Sequence, residues 1–67
     1  MSDAHVSEPT LALLRKKIRD EMNARADDIS GGACRSFDEY SKQVGVIEGL
    51  ALAERELIDL SKRLETD

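Results

Sequence analysis

The feature that most constrains this sequence is a single break, Ser30-Gly31-Gly32-Ala33, which separates two long segments with helical hydrophobic spacing. Glycine ends helices because it adopts the left-handed backbone conformation without a steric penalty. The only proline, Pro9, lies near the start of the chain, so nothing else interrupts either segment. A chain punctuated in this way is expected to form two helices joined by a turn.

The first segment carries apolar residues at steps of three and four, which align on one stripe of an α-helix. Those residues are Leu11, Leu14, Ile18, Met22, Ala26 and Ile29. Ser7 and Pro9 suit a helix start. The serine hydroxyl can accept a hydrogen bond from an unpaired backbone amide of the first turn, and proline has no amide hydrogen that would go unpaired. We predict a first helix over residues 8–30, ended by Gly31 and preceded by a flexible tail over residues 1–7.

The second segment begins with a capping-box pattern, in which Ser36 and Glu39 each accept a hydrogen bond from the other's backbone amide. We predict a second helix over residues 37–65. The short turn brings the two helices together antiparallel, so the expected fold class is an all-α, two-helix hairpin. Residues 8–67 then form a single domain.

One apolar set on the second helix is expected to pack against the first helix and close the hairpin. The predicted intra-hairpin core comprises Leu11, Leu14, Ile18, Met22, Ile29, Phe37, Tyr40, Val44, Ile47 and Ile58. A second apolar set on the same helix repeats with the seven-residue spacing of a coiled-coil seam. The predicted oligomer or partner interface comprises Val46, Gly49, Leu50, Ala53, Leu57, Leu60 and Leu64.

The two sets together span about 240° of the second helix, whereas packing on one helix buries a stripe of about 100°. The chain has 67 residues with one Phe, one Tyr and no Trp, which is little material for a monomeric core. We therefore expect one face to bind a second copy or another protein, giving a helical-bundle oligomer. The alternative is that the N-terminal residues 1–9 wrap the long helix.

Small residues recur every four positions along one flank of the second helix, at Gly45, Gly49 and Ala53. Each glycine destabilises a helix by about 0.8–1 kcal/mol relative to alanine. One interpretation is that the small residues permit the close approach of another helix, as in tightly packed helix pairs. The alternative is that the glycines are merely tolerated on a solvated flank.

Glu54 lies in the middle of the apolar arc, where an unpaired carboxylate would be strongly destabilising. In a hairpin that turns near Ala33, Arg15 of the first helix comes to the level of Glu54. We predict an ion pair between Arg15 and Glu54 that fixes helix register or pairing geometry rather than performing catalysis.

The composition excludes several functional classes. A net charge of −4 disfavours general nucleic-acid binding, and one cysteine with one histidine cannot build a multi-thiolate metal site. Cys34 has no histidine near it in the sequence to act as its base, so we expect no catalytic residues, no cofactor, no metal and no enzymatic activity. No apolar stretch is long enough for a membrane span.

One basic cluster lies near the start of the first helix and is formed by Arg15, Lys16, Lys17 and Arg19. Most of these charges can form ion pairs with acidic residues four positions away on the same helix, which is typical of a solvated helix face. The alternative is a patch that binds an acidic partner or a nucleotide-like anion.

The second helix resembles a pattern found in small proteins of tailed bacteriophages. The residues that carry the resemblance are Tyr40 and Val44-Gly45-Val46-Ile47-Glu48-Gly49-Leu50-Ala51-Leu52-Ala53-Glu54-Arg55-Glu56-Leu57. It covers about residues 11–60 and implies a short first helix, a Gly-containing turn and a Tyr…Gly-x-Ile-x-Gly-Leu helix. The size, acidity and two-helix outline are also similar to plasmid copy-control proteins that dimerise as four-helix bundles.

The resemblance implies a phage accessory or virion protein, located in the virion or the host cytoplasm. We expect a non-enzymatic interaction protein, a minor head- or neck-associated virion component that oligomerises or docks through its second helix. The alternative is a phage regulatory or anti-defence protein that binds a host protein or sequesters a small anionic ligand through the basic cluster.

Overall fold

The computed structural model describes residues 9–66, the side chain of Thr66 excepted, and this part of the chain contains two α-helices and no strand. Helix α1 spans Pro9–Ser30 and helix α2 spans Phe37–Thr66. The two helices pack against each other as an all-α hairpin. Both helix starts and ends lie within one residue of the predicted bounds. The predicted tail, residues 1–7, lies outside the described residues.

The end of α1 is a Schellman motif, in which two backbone amides beyond the helix bond back to its last turn. Gly32 donates to the Ile29 carbonyl at 3.2 Å and Ala33 donates to the Asp28 carbonyl at 2.9 Å. Gly32 has a φ of 82°, the left-handed conformation that glycine adopts most readily. The prediction that Gly31 takes this left-handed role is corrected to Gly32, because the Gly31 amide still makes a helical hydrogen bond to the Asp27 carbonyl at 2.8 Å.

The start of α2 contains half of the predicted capping box. Ser36 Oγ accepts a hydrogen bond from the Glu39 amide at 3.1 Å, as expected of an N-cap. The Glu39 carboxylate, however, accepts from the Arg35 amide at 2.6 Å instead of the Ser36 amide. The Glu39 side chain therefore binds the backbone of the loop two residues before α2 begins, and it still lies at the positive end of the helix dipole.

Helix α1 lies over the middle of the apolar arc of α2, so it partly covers both apolar sets instead of one. Leu57, predicted for the oligomer interface, is only 7% exposed and is the one fully buried hydrophobic residue of residues 9–66. Conversely, the predicted core residues Leu14, Phe37 and Tyr40 are exposed, Phe37 to 77%. The division of α2 into a hairpin face and a separate seam is therefore wrong in these positions.

The remaining predicted core residues are half-buried along the contact between the two helices. They are Leu11, Ile18, Met22, Ile29, Val44, Ile47 and Ile58. The line of deepest burial instead contains two polar residues, Glu54 at 7% exposed and Ser61 at 1% exposed. A helix pair usually places its apolar residues along this line and polar residues at the edges. This hairpin leaves much of its apolar surface at the edges, where another molecule can reach it.

Neither helix in the described part of the chain combines the length and the hydropathy that a membrane-spanning segment requires.

Candidate protein interface

Glu54 of α2 makes the most extensive of the described polar contacts between the two helices, with two arginines of α1. Arg15 Nε donates to Glu54 Oε2 at 3.0 Å. Arg19 donates through Nη2 to Oε1 at 2.6 Å and through Nε to Oε2 at 3.2 Å. The carboxylate thus accepts three charge-assisted hydrogen bonds, and one guanidinium binds it through both oxygens.

The geometry of this cluster follows from helix spacing. Arg15 and Arg19 are four residues apart, so they lie on the same face of α1, one turn from each other. The sequence placed Arg15 at the level of Glu54, and the structure brings these two residues together. It also adds Arg19, which the sequence interpretation assigned only to a basic patch. The spacing of four residues was the signal that could have identified it.

A second polar contact crosses the hairpin nearer the turn. Arg25 Nη1 donates to Gln43 Oε1 at 3.0 Å, and Arg25 Nε donates to Glu21 Oε2 at 3.1 Å within α1. Toward the other end of the hairpin, the Ser61 hydroxyl is buried and has no hydrogen-bond partner. The polar residues on the central line of α2 are therefore engaged with α1 at two of these three positions.

The predicted basic patch does not present four free cations. Arg15 and Arg19 are bound to Glu54, as described, and Lys16 Nζ lies 2.8 Å from Asp20 Oδ2. The hydrogen bond to Asp20 and then the charge of that carboxylate raise the pKa of Lys16 above its ordinary value. Two carboxylates of the same chain, Glu54 and Asp20, therefore offset half of the cluster's four positive charges, which weakens its attraction for an external anion.

One exposed flank of α2 carries small residues and leucines together with two charged residues, and we call it the outer face. It comprises Lys42, Gly45, Gly49, Leu52, Ala53, Glu56, Leu60 and Leu64, all exposed. Leu52 is 55% exposed, Leu60 is 47% exposed and Leu64 is 54% exposed. Several large apolar side chains exposed on one flank of a helix are typical of a protein–protein contact.

The glycines of the outer face line no close contact within the hairpin. A Cβ atom added at Gly45 or Gly49 would meet no heavy atom of the hairpin within 4 Å, apart from its own local backbone. Any close approach that these glycines allow therefore involves another molecule and not α1. The predicted interface residues divide accordingly: Gly49, Ala53, Leu60 and Leu64 are exposed, Val46 and Leu50 are half-buried, and Leu57 is buried.

Two open cavities lie along the hairpin. One, of about 280 Å³, lies near the turn beside the half-buried thiol of Cys34, with Glu39 and Lys42 in its wall. The other, of about 460 Å³, lies beside Arg19 and Glu54. Within the described residues, no group of three or more potential metal ligands comes together.

Comparisons with known proteins return no match: no family model, no curated protein and no solved structure is similar to this chain.

Proposed function

We propose that this protein is a non-enzymatic interaction module that assembles with other helices through the outer face of α2. The observation that carries the proposal is the distribution of leucines. Leu57 alone is buried in the described hairpin, whereas Leu52, Leu60 and Leu64 are about half exposed on one side of one helix. Apolar area that stays in water contributes nothing to folding and becomes stabilising only when a partner covers it.

The polar residues support the same proposal because they are occupied in holding the hairpin together. Glu54 is saturated by Arg15 and Arg19, and Arg25 bridges Glu21 and Gln43. A carboxylate that already accepts three charge-assisted hydrogen bonds is suited to fixing geometry. On the outer face, in contrast, the space above Gly45 and Gly49 is open in the hairpin.

Within this class we propose a minor virion component of a tailed bacteriophage, associated with the head or neck of the particle. The support is the resemblance of the Tyr40…Gly45-Val46-Ile47-Glu48-Gly49-Leu50 helix to those of small phage proteins. That pattern includes both outer-face glycines, so the resemblance and the exposed surface coincide on the same side of α2.

The test is to look for the protein in particles purified from the phage that encodes it, by mass spectrometry with a density-gradient step to remove free protein. We expect stoichiometric recovery in particles, and loss of the protein from particles when Leu60 is replaced by aspartate. Recovery only in the cell lysate, bound to a host protein, would instead support a regulatory or anti-defence role.

A further inference from the structure

We propose that the partner on the outer face is a second copy of this chain, packed antiparallel on α2 with the two-fold axis at Gly49. This inference rests on the proposed function, because it names the occupant of the same face. In such a two-fold contact, a residue that lies a given number of positions after the axis faces the residue that lies the same number of positions before it in the other copy. The charges of the outer face can be tested against that requirement.

The charges along the outer face are arranged in opposite signs about Gly49. Lys42 lies seven residues before Gly49 and Glu56 lies seven residues after it. Antiparallel pairing therefore places Lys42 of each copy opposite Glu56 of the other, twice in one dimer. All three residues are exposed in the hairpin, so both side chains of each pair can reach across.

The helix dipoles favour the same antiparallel arrangement. Antiparallel packing sets the positive end of each helix dipole beside the negative end of the other.

The side-chain sizes on the outer face fit the same arrangement. Gly49 meets its own copy at the axis, and Gly45, four residues before it, faces Ala53, four residues after it. The space above both glycines is open in the hairpin, so two backbones can approach closely there. Farther from the axis, Leu60 lies eleven residues after Gly49 and is therefore level with Asp38 of the partner copy, one turn beyond the methylene stem of the partner's Lys42.

A second copy also matches the face better than an unrelated helix in one respect. Interdigitating side chains require the same spacing on both helices, and a copy supplies the same alternation of three- and four-residue steps. The chain has few buried apolar residues as a hairpin, and a copy is present whenever the chain itself is present. An occupant from residues 1–8 would instead leave the protein monomeric, an outcome that the experiment below detects.

The first experiment uses the native cysteine of the full chain. Cys34 lies at the turn, fifteen residues before Gly49, so spin labels on the two copies should be about 45 Å apart in the antiparallel dimer. Pulsed electron–electron double resonance measures this distance on wild-type protein. A distance below about 25 Å, as in a parallel pair with both turns at one end, would overturn the proposal, and so would a monomer with no distance.

The second experiment reverses the charges and measures the dimer dissociation constant by sedimentation. Lys42→Glu and Glu56→Lys should each weaken the dimer about tenfold, since each creates two like-charge contacts. The double variant should return to within about threefold of wild type because the opposite signs are restored. Glu48→Lys, an equal change of charge away from the outer face, is the control and should have little effect.

Failure of the second-copy inference and failure of the proposed function give different results. Single-variant effects that simply add, or equal weakening by Glu48→Lys, would overturn the antiparallel register. A monomeric protein that is recovered in phage particles would overturn the second-copy inference and leave the proposed function standing. A dimer with the expected 45 Å distance that is absent from particles would support the inference and overturn the virion role.

Discussion

Arg19 binds Glu54 through both carboxylate oxygens, with its Nη2 2.6 Å from Oε1 and its Nε 3.2 Å from Oε2. This contact links one turn of α1 to the most deeply buried carboxylate of α2, and Arg15 adds a third hydrogen bond from the preceding turn. Because the two arginines are one turn apart, a slip of one turn would move one of them into the other's place and leave Glu54 with a single guanidinium. The cluster therefore fixes the register of the hairpin.

The first prediction concerns the relative importance of the two arginines. Arg19→Leu should destabilise the protein by about 2–3 kcal/mol, and Arg15→Leu by less, because Arg19 supplies two of the three hydrogen bonds to a buried charge. Replacing Arg15, Arg19 and Glu54 together by leucine should be close to neutral. Urea unfolding measures these values, with Lys16→Ala as an exposed control. Equal, small effects of both single variants would show that Glu54 is solvated.

The second prediction concerns the buried hydroxyl of Ser61, which has no hydrogen-bond partner. Ser61→Ala should stabilise the protein by about 1 kcal/mol, because it removes an unsatisfied polar group and improves helix propensity. Ser41→Ala, an exposed serine of the same helix, should contribute only the propensity gain of a few tenths of a kcal/mol. A loss of stability in Ser61→Ala would mean that the hydroxyl is bonded in solution.

The third prediction concerns the turn. Gly32 has a positive φ, so Gly32→Ala should destabilise the hairpin by about 1–2 kcal/mol. Gly32→Asn should be less harmful, since asparagine tolerates the left-handed conformation better than alanine does. Thermal unfolding followed by circular dichroism is sufficient to rank the two variants. Equal melting temperatures for wild type and Gly32→Ala would place the chain reversal at another residue.

The fourth prediction separates the two interpretations of the outer-face glycines. Gly49→Ala adds a methyl group that meets no atom in the hairpin, so it should stabilise the helix by up to about 1 kcal/mol if the face is solvated. We expect the opposite for the assembled protein, a loss of about 1–3 kcal/mol in dimer stability, because two backbones approach at this position. Sedimentation gives the dimer stability, and Asn23→Ala on α1 controls for helix propensity.

The sequence predicts the helices well because their limits depend on local chemistry. The break at Gly31-Gly32 and the Ser36 cap act within a few residues of their own positions. The sequence also predicts that Arg15 lies beside Glu54, because residues at equal distances from the turn lie side by side in an antiparallel hairpin. These features need no knowledge of how the helices are rotated about their axes.

Two features account for what the sequence predicted incorrectly: how α1 is placed across α2 and where the contact between the helices ends. Phe37 and Tyr40 share a side of α2 with core residues, but they lie in its first turn and are exposed. Leu57 belongs by spacing to the seam and becomes buried because α1 lies over the middle of the arc and partly covers both sets. Hydrophobic periodicity identifies the faces of each helix, whereas the packing of all side chains together decides which face meets the neighbour.

The measurement that tests the role of the outer face most directly is the solution mass of Leu60→Asp beside that of Leu13→Asp. Both leucines are about half exposed in the hairpin, and Leu13 lies on α1, outside the outer face. We expect light scattering to give a dimer for wild type and Leu13→Asp, and a monomer for Leu60→Asp. The substitution at Leu60 removes an apolar contact and places a carboxylate level with Asp38 of the partner copy, which creates a like-charge contact. An unchanged dimer mass for Leu60→Asp would contradict the assignment of the outer face as the interface.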